Sequence, residues 1–547
     1  MRNVERIGAT ALLCVLIVAS SGWARVWDVT ELGARGDKEA NDTTAIQKAV
    51  DGASQAGGGT VYVPAGNYRC GQLRLRSHVT LHIEAGATLW VSADKADYGR
   101  GNSFLLAEDQ NNVTVQGRGT IYGTGAEDLM RKRGDTRQRP DWRVGILRFT
   151  GCRDVVIRDV TIQYSDSWTL DLERCENVLI DGVSILNNYY RVNADGIDPV
   201  SCKNVRISNC HIVAGDDCIV CKTRAGQPCE DVVVTNCILE SIATAVKIGT
   251  ESPSDFRNIL VSNCVIRNST VGIGIYLKDG GTAERINFSN CTIETIRQPE
   301  LASVSLKDSI YPIFVDIEKR RADSRIGRIR DLSFADISIV SDNGILIQGM
   351  TAGKIENLSL RNITMRVDRA ADYASRKKHI GGNTEETEDR RRTLYAQKPS
   401  YVTLANIEGL TVDGLRVLIP DEVFAKYNRS ALSLHNVSEA VISDIRREPA
   451  GNVAPPPPGV TGPPNAKDRV WDPNPAEGGW ATSVPVATME NCRNCLWTDC
   501  LALPDTGVFL AITGKETANI SLKANDLTAA THPVRISDGV PKGAIRD

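Results

Sequence analysis

The sequence predicts an all-β fold: a right-handed parallel β-helix, or solenoid, with an N-terminal capping helix. The first observation is an interval of 27 residues between successive Asn-Cys pairs: Asn209-Cys210, Asn236-Cys237, Asn263-Cys264 and Asn290-Cys291. The second is a ladder with the same interval: Cys175, Cys202 and Cys229. The third is alternation of apolar and polar residues, as in NVRISNCHI (204–212), which is typical of a strand with one buried face. One repeat cannot bury that face, so the repeats are expected to stack as coils.

The 27-residue interval predicts which residues are neighbours in space. Residues 27 apart are expected to lie one above the other, at roughly the 4.8 Å spacing of paired strands. The strict register runs from 177 to 293, and looser copies precede and follow it. Cysteines in one phase of such a stack are expected to point inward as small apolar side chains. A structural role is also preferred for Cys492, Cys495 and Cys500, with one disulfide left open.

The first 24 residues are typical of a secretory signal peptide. Arg2 and Arg6 precede an apolar run at 7–19, and residues 22–24 offer small residues for cleavage. The run is short for a transmembrane span, so export to the periplasm or the extracellular space is preferred over an uncleaved membrane anchor.

An amphipathic helix is predicted just before the first coil. Asp42 is the candidate N-cap, and five apolar residues follow the helical period: Ala45, Ile46, Ala49, Val50 and Ala53. A run of three glycines at 57–59 ends the helix before the strand TVYVPAG. Such a helix would cover apolar side chains and strand edges at the end of the solenoid.

Four segments are predicted along the chain. Residues 1–24 form the signal peptide, and 25–448 form a parallel β-helix catalytic domain that includes a charged, solvated excursion at 366–398. Residues 449–480 contain four consecutive prolines and are interpreted as a linker or long loop. Residues 481–547 are predicted to return to the stack as final coils, with a separate small β element as the alternative.

Composition excludes some function classes. The chain has 547 residues, 41% hydrophobic and 24% charged, with a net charge of −3. This balance indicates a globular protein without the positive field that nucleic acids or anionic membranes attract. We therefore expect no nucleic-acid partner and no membrane partner after signal cleavage. A monomeric state, no cofactor and no metal are further expectations.

Three carboxylates are predicted to lie within about one coil of one another. Asp195 belongs to NADGID (193–198), and Asp216 and Asp217 belong to GDDC (215–218). Crowded acids raise the pKa of at least one member, which makes a proton donor available near neutral pH. Inverting glycosidic hydrolysis needs one such acid and a carboxylate that activates water, in general roughly 6.5–9.5 Å apart. A solvated turn is the alternative interpretation of Asp216-Asp217 alone.

Basic residues surround these acids in the sequence. Lys222 and Arg224 follow the Asp pair, and Lys247 and Lys278 fall on the next two coils. Because Arg224, Glu251 and Lys278 are 27 apart, they are predicted to form a vertical stack of alternating charge. These cations could hold an acidic sugar by charge-assisted hydrogen bonds, or they could form an ion ladder that only stabilises the coils.

NADGID and GDDC on a predicted β-helix resemble the signature of glycoside hydrolase family 28, the polygalacturonases. The phrases GGGTVYVPAGNY, HVTLHIEAGATL and SWTLDLERCENV are also similar to that family, and the likeness covers residues 26–340 best. The resemblance implies a pectin-like polysaccharide substrate. It also implies that Asp195 and Asp217 activate water and that Asp216 is the general acid.

Two positions depart from the family pattern. The Gly-His-Gly motif is replaced by Ala243-Thr244-Ala245, and the Arg-x-Lys motif by Tyr276-Leu277-Lys278. Thr cannot carry the charge of His, and the loss of Arg removes a bidentate clamp for a carboxylate. Lys247 and Glu251 are candidates to replace the functions of the missing His and Arg. The predicted substrate-binding residues are Asn193, Lys222, Arg224, Thr244, Lys247, Glu251, Tyr276 and Lys278.

The leading hypothesis is an inverting hydrolase of a galacturonate- or rhamnogalacturonate-containing polysaccharide. A Ca²⁺-dependent polysaccharide lyase is one alternative, because three acids could ligate the ion. A non-catalytic carbohydrate-binding β-helix with a decayed site is the other, because the family His and Arg are missing.

Overall fold

The computed structural model describes most of the chain between residues 25 and 546. The described ranges are 25–125, 142–189, 191–295, 310–341, 343–367, 400–420, 423, 429–450 and 484–546. The predicted signal peptide, nearly all of the charged excursion and nearly all of the Pro-rich segment lie outside them. Within these ranges, every helix is too short or too polar to cross a bilayer.

The strands pair in parallel, coil upon coil, and the pairings define three sheets. Sheet 1 carries the repeat motif, and its strands are Val26–Asp28, Gly59–Val63, Val79–Ile83, Asn111–Gln116, Arg153–Arg158, Glu176–Asp181, Lys203–Ser208, Cys229–Thr235, Phe256–Ser262, Thr282–Thr295, Arg328–Ser341, Ile355–Val367, Ser400–Ile419, Ser430–Pro449, Arg493–Thr498, Ala518–Lys523 and Ile545–Arg546. The parallel β-helix predicted from the repeat is confirmed.

The other two sheets complete each coil. The strands of sheet 2 are Asp37–Asn41, Gly66–Cys70, Ala87–Val91, Thr120–Tyr122, Thr161–Gln163, Ser184–Leu186, His211–Ala214, Ile238–Ser241 and Val265–Ser269. The strands of sheet 3 are Leu73–Arg74, Ser103–Glu108, Gly145–Thr150, Leu170–Glu173, Ile197–Val200, Ile219–Cys221, Thr244–Thr250, Val271–Leu277, Tyr311–Ile317, Ile345–Gln348, Ala487–Glu490, Val508–Thr513 and His532–Ile536. Later in the chain, the long strands of sheet 1 extend into the other sheets.

The 27-residue register is present in sheet 1. Val178, Val205, Val232, Ile259 and Ile286 pair in succession. The backbone conformation explains why Asn recurs at these positions. The Asn residues of the Asn-Cys pairs have φ between 52° and 57°. This left-handed conformation turns the chain at a corner, and Asn adopts it more readily than most residues.

The core lies inside the coils and is built from Val, Ile, Leu and Cys side chains. All cysteines in the described part of the chain are buried and unpaired. The inward Cys stack is therefore confirmed. The disulfide left open among Cys492, Cys495 and Cys500 does not form, since all three thiols are buried and unpaired.

The predicted helix spans Thr43–Gln55 and buries the five predicted apolar residues. Asp42 occupies the N-cap position, but its side chain makes no cap hydrogen bond. Its carboxylate instead accepts from the backbone N–H groups of Arg35, at 2.7 Å, and Gly36, at 3.3 Å. The buried side chains of this helix belong to the main hydrophobic core, at the N-terminal end of the solenoid. That the helix caps the solenoid stays a prediction. Two short 3₁₀ helices lie at Thr30–Leu32 and Lys95–Asp97.

One coil of sheet 3 departs from the 27-residue interval. Ile197 pairs with Ile219, only 22 residues later, whereas Ile219 pairs with Val246 after the usual 27. The loop before Ile197 and the turn after Cys221 are longer than their counterparts, so sheet 1 keeps its register. The carboxylates lie beside this short interval.

Candidate active site

The short interval stacks two of the acids directly. The backbone N–H of Gly196 donates to the carbonyl oxygen of Asp217 at 2.9 Å, so Asp195 and Asp217 occupy the same position on neighbouring coils. Two glycines allow this approach. A Cβ on Gly196 would overlap the carbonyl oxygen of Cys218, and a Cβ on Gly215 would overlap those of Arg191 and Asn188.

Asp195, Asp216 and Asp217 lie together, as predicted. One carboxylate oxygen from each falls within 4.8 Å of the others. Asp195 is 3% exposed and Asp217 is 1% exposed, whereas Asp216 is partly exposed. The oxygens are closer than the 6.5–9.5 Å expected for an inverting pair, because two acids are adjacent in sequence and the third, Asp195, lies on the preceding coil.

Asp216 is held by Asn193. The backbone N–H of Asn193 donates to Asp216 Oδ2 at 3.2 Å, and its side-chain Nδ2 lies 3.4 Å from the same oxygen. Asn193 has a φ of 58°, which aims both groups at one acceptor. Burial, followed by the negative charges of Asp195 and Asp217, raises the pKa of Asp216 to about 8. A proton donor near neutral pH therefore faces solvent.

Asp195 and Asp217 each have one paired and one unpaired oxygen. Asp217 Oδ2 lies 2.7 Å from Lys247 Nζ, and Asp195 Oδ2 lies 3.4 Å from Lys222 Nζ. The Oδ1 atoms of both acids are buried without a hydrogen-bond partner. Burial and the charge of Asp198 raise the pKa of Asp195. Buried oxygens of this kind need a donor, and a water or a sugar hydroxyl can supply it.

Lys222 is buried at the base of the site, with 4% of the residue exposed. It pairs with Asp198 as well as Asp195, and its Nζ lies 3.6 Å from the ring centroid of Trp168. Burial, partly offset by Lys222, raises the pKa of Asp198 to about 7. Asp198 was not among the predicted site residues. The sequence could have identified Asp198, because it is the last residue of the NADGID motif.

Thr244 and Tyr276 surround Lys247. The N–H of Cys218 donates to the carbonyl oxygen of Thr244 at 3.1 Å, which confirms that Thr244 follows Asp217 on the next coil. Lys247 Nζ lies 5.6 Å from the centroid of the Tyr276 ring, whose other neighbour is Phe314, with centroids 5.1 Å apart. Burial raises the pKa of Tyr276 to about 12, so its hydroxyl stays neutral.

The predicted stack of Arg224, Glu251 and Lys278 is wrong. Lys278 is buried, and its Nζ lies 3.1 Å from Glu318 Oε2. Arg224 Nε lies 4.0 Å from a Glu173 carboxylate oxygen on the preceding coils. Glu251 forms no salt bridge with any residue in the described ranges. Each cation instead lies beside an acid outside the predicted stack, Lys278 beside Glu318 and Arg224 beside Glu173.

Two lysines neutralise the acid cluster from within the protein. The ammonium groups of Lys222 and Lys247 contact Asp195 and Asp217, where a bound cation would otherwise balance the charge. Asp216 remains as the proton donor that faces solvent. The arrangement suits acid–base chemistry at a polar bond better than the cation-assisted chemistry of the lyase alternative.

A parallel β-helix that carries a cluster of three aspartates, one of them partly exposed, defines a class of carbohydrate-active proteins. The family model of glycosyl hydrolases family 28 matches residues 54–378, and the chain belongs to this family.

Curated relatives agree with this assignment. A probable polygalacturonase of Vitis vinifera is 32% identical over 243 residues, 41% of this chain and 48% of the relative. A polygalacturonase of Persea americana is 27% identical over 35% of this chain and 42% of the relative. The chain thus spans about half the length of these relatives.

Two solved structures share the fold. The exopolygalacturonase of Thermotoga maritima matches with a TM-score of 0.54 and 22% identity, over 62% of this chain and 87% of that one. The family 28 exopolygalacturonase of Yersinia enterocolitica gives 0.56 and 17%, over 77% and 79%.

Proposed function

We propose that this chain hydrolyses glycosidic bonds in a pectin-like polysaccharide by acid–base catalysis. The observation that carries the proposal is the asymmetry of the triad. Asp216 is partly exposed with a pKa raised to about 8, whereas Asp195 and Asp217 each hold a buried oxygen without a partner. One member can donate a proton to a leaving oxygen, and the other two can hold and activate a water.

The roles follow from the partners of each acid. Asp216 is the general acid. Asp217 is the main proton acceptor, because Lys247 lies against it as a counter-ion. Asp195, whose pKa is raised, positions the water through Oδ1. The short distance between the oxygens fits one water shared by two carboxylates rather than a water between widely separated groups.

The substrate is proposed as a galacturonate- or rhamnogalacturonate-containing polymer. Family membership and the polygalacturonases among the relatives support this class. Asn193 and Tyr276 lie at the triad, are partly exposed and fit the predicted substrate-binding role, whereas Thr244 lies there but is only 4% exposed. Lys278 fits it less well, because its side chain is only 4% exposed and is paired with Glu318. Export through the N-terminal signal and a monomeric state are also proposed.

The test is Asp216→Asn, with pectic fractions as substrates. We expect turnover to fall by at least about 100-fold, because loss of general acid catalysis commonly costs 10²–10⁴, while the thermal unfolding midpoint changes little. New reducing ends measure turnover, and NMR of the first-formed anomer identifies the stereochemistry. Full activity of the variant would refute the assignment. Chelator-sensitive release of unsaturated products would instead support the lyase.

A further inference from the structure

A cavity of about 250 Å³ opens on the N-terminal side of the triad. Its lining includes Arg148, Asp171, Trp168 and Arg224. Trp168 lies one coil before Asp195, since the N–H of the next residue donates to the Asp195 carbonyl oxygen at 3.0 Å. The ring of Trp168 also contacts Lys222, so the cavity adjoins the site without belonging to it.

The two arginines of this cavity are loosely held. Arg148 approaches Asp171 at 3.5 Å and Glu173 at 3.7 Å, and Arg224 approaches Glu173 at 4.0 Å. These distances exceed those of charge-assisted hydrogen bonds, so both guanidinium groups keep donors for a ligand. The Arg148 and Arg224 side chains are 45% and 39% exposed.

Asp171 supplies a second, independent feature. It is 8% exposed, and its Oδ1 is buried without a hydrogen-bond partner. Burial also raises its pKa. A buried acceptor at the wall of a polar cavity requires a donor from the ligand, such as a sugar hydroxyl.

We propose that this cavity is a subsite for an acidic sugar, in which Arg148 and Arg224 bind the carboxylate and Asp171 accepts a hydroxyl. The inference rests on the proposed function and deepens it. Lys278, which the sequence suggested as a carboxylate ligand, is paired with Glu318. The sugar carboxylate is therefore bound on the opposite side of the triad from Lys278. The sugar bound next to the reacting bond on the N-terminal side is a uronate.

The experiment measures binding, so that it does not depend on turnover. Digalacturonic acid and its carboxyl-reduced counterpart are titrated calorimetrically into Asp216→Asn protein, alone and combined with Arg148→Gln or Arg224→Gln. Each arginine change is expected to weaken binding of the acid by about tenfold or more, as for loss of a hydrogen bond to a charged group. Binding of the reduced disaccharide is expected to change less than about twofold.

Arg153→Gln is the matched control, because Arg153 lies in sheet 1 and pairs with Glu176 at 2.9 Å. Arg148→Lys keeps the charge if the glutamine variant unfolds, and it should retain part of the selectivity. Equal binding of both disaccharides, or equal loss in the control, would overturn the subsite. Selective binding through these arginines without hydrolysis of any pectic fraction would support the subsite and refute the proposed function.

Discussion

At the scale of single residues, the three aspartates share one site but differ in their surroundings. Asp216 accepts from Asn193, Asp217 pairs with Lys247, and Asp195 pairs with Lys222. The motifs predicted the cluster because an acid triplet within one coil is visible in the sequence. Side-chain direction is not visible in the same way. The sequence therefore identified Lys222 as a substrate ligand, whereas packing against Trp168 buries it.

The raised pKa of Asp216 predicts the pH dependence of catalysis. The acid form is required and is lost as the pH rises through about 8. We expect kcat/KM to fall with a slope approaching tenfold per pH unit above that value. The measurement is a pH–rate profile of the wild type, with unfolding monitored at each pH. A profile that stays level to pH 10 would contradict the assignment. The fall of the pH–rate profile above about pH 8 reports the titration of the three aspartates together, because their charges interact.

Lys222→Met tests the buried charge network. The change leaves Asp195 and Asp198 without their counter-ion, which is expected to cost about 3 kcal/mol in the free energy of unfolding. The loss should shrink at low pH, because the two carboxyl groups then become neutral. Urea unfolding at two pH values measures it. Lys203→Met is the control, since Lys203 pairs with Glu230 at 3.0 Å on the surface. Equal shifts for both variants would argue against a buried network.

At the scale of the coil, the site depends on a departure from the repeat. The interval of 27 predicted the pairing of Val205 with Val232, because sheet 1 keeps a constant register. It could not predict that Ile197 pairs with Ile219. Extra residues in the loop before Ile197 and in the turn after Cys221 compensate for the short interval, so the period outside the site is unchanged.

Gly215→Ala tests the close approach of the site loops. The new Cβ would overlap two backbone oxygens, those of Arg191 and Asn188, so the segment that carries Asp216 and Asp217 would have to shift. We expect turnover to fall about 100-fold, as misplacement by about 1 Å commonly does. Gly539→Ala is the control, because open space surrounds that position. Steady-state kinetics of both variants measure this effect on turnover. Unaltered kinetics in Gly215→Ala would show that the loop can adjust to the added methyl group.

At the scale of the whole molecule, stability is expected to vary along the stack. Lys203–Ser208 pairs with a strand on each side, whereas His532–Ile536 pairs, among the described residues, with Val508–Thr513 alone and is largely exposed. Each coil contacts only its neighbours, so the final coils open more easily than the middle ones.

Hydrogen exchange with mass spectrometry measures this gradient. We expect amides of His532–Ile536 to exchange at least about tenfold faster than those of Lys203–Ser208, because opening a terminal strand breaks one set of pairings rather than two. Digalacturonic acid should protect the middle coils and leave the terminal strand unchanged. Uniform exchange along the chain would indicate that the solenoid opens as one cooperative unit.

The unpaired cysteines inside the coils carry a practical consequence for handling the purified protein. While the stack is intact, Ellman's reagent cannot reach these thiols, so titration should report almost none. Heating under air would expose many thiols at once, and the cysteines of the described ranges form no native bridge that could guide their pairing. Scrambled crosslinks would then trap the denatured material, and recovery after cooling should require a reductant.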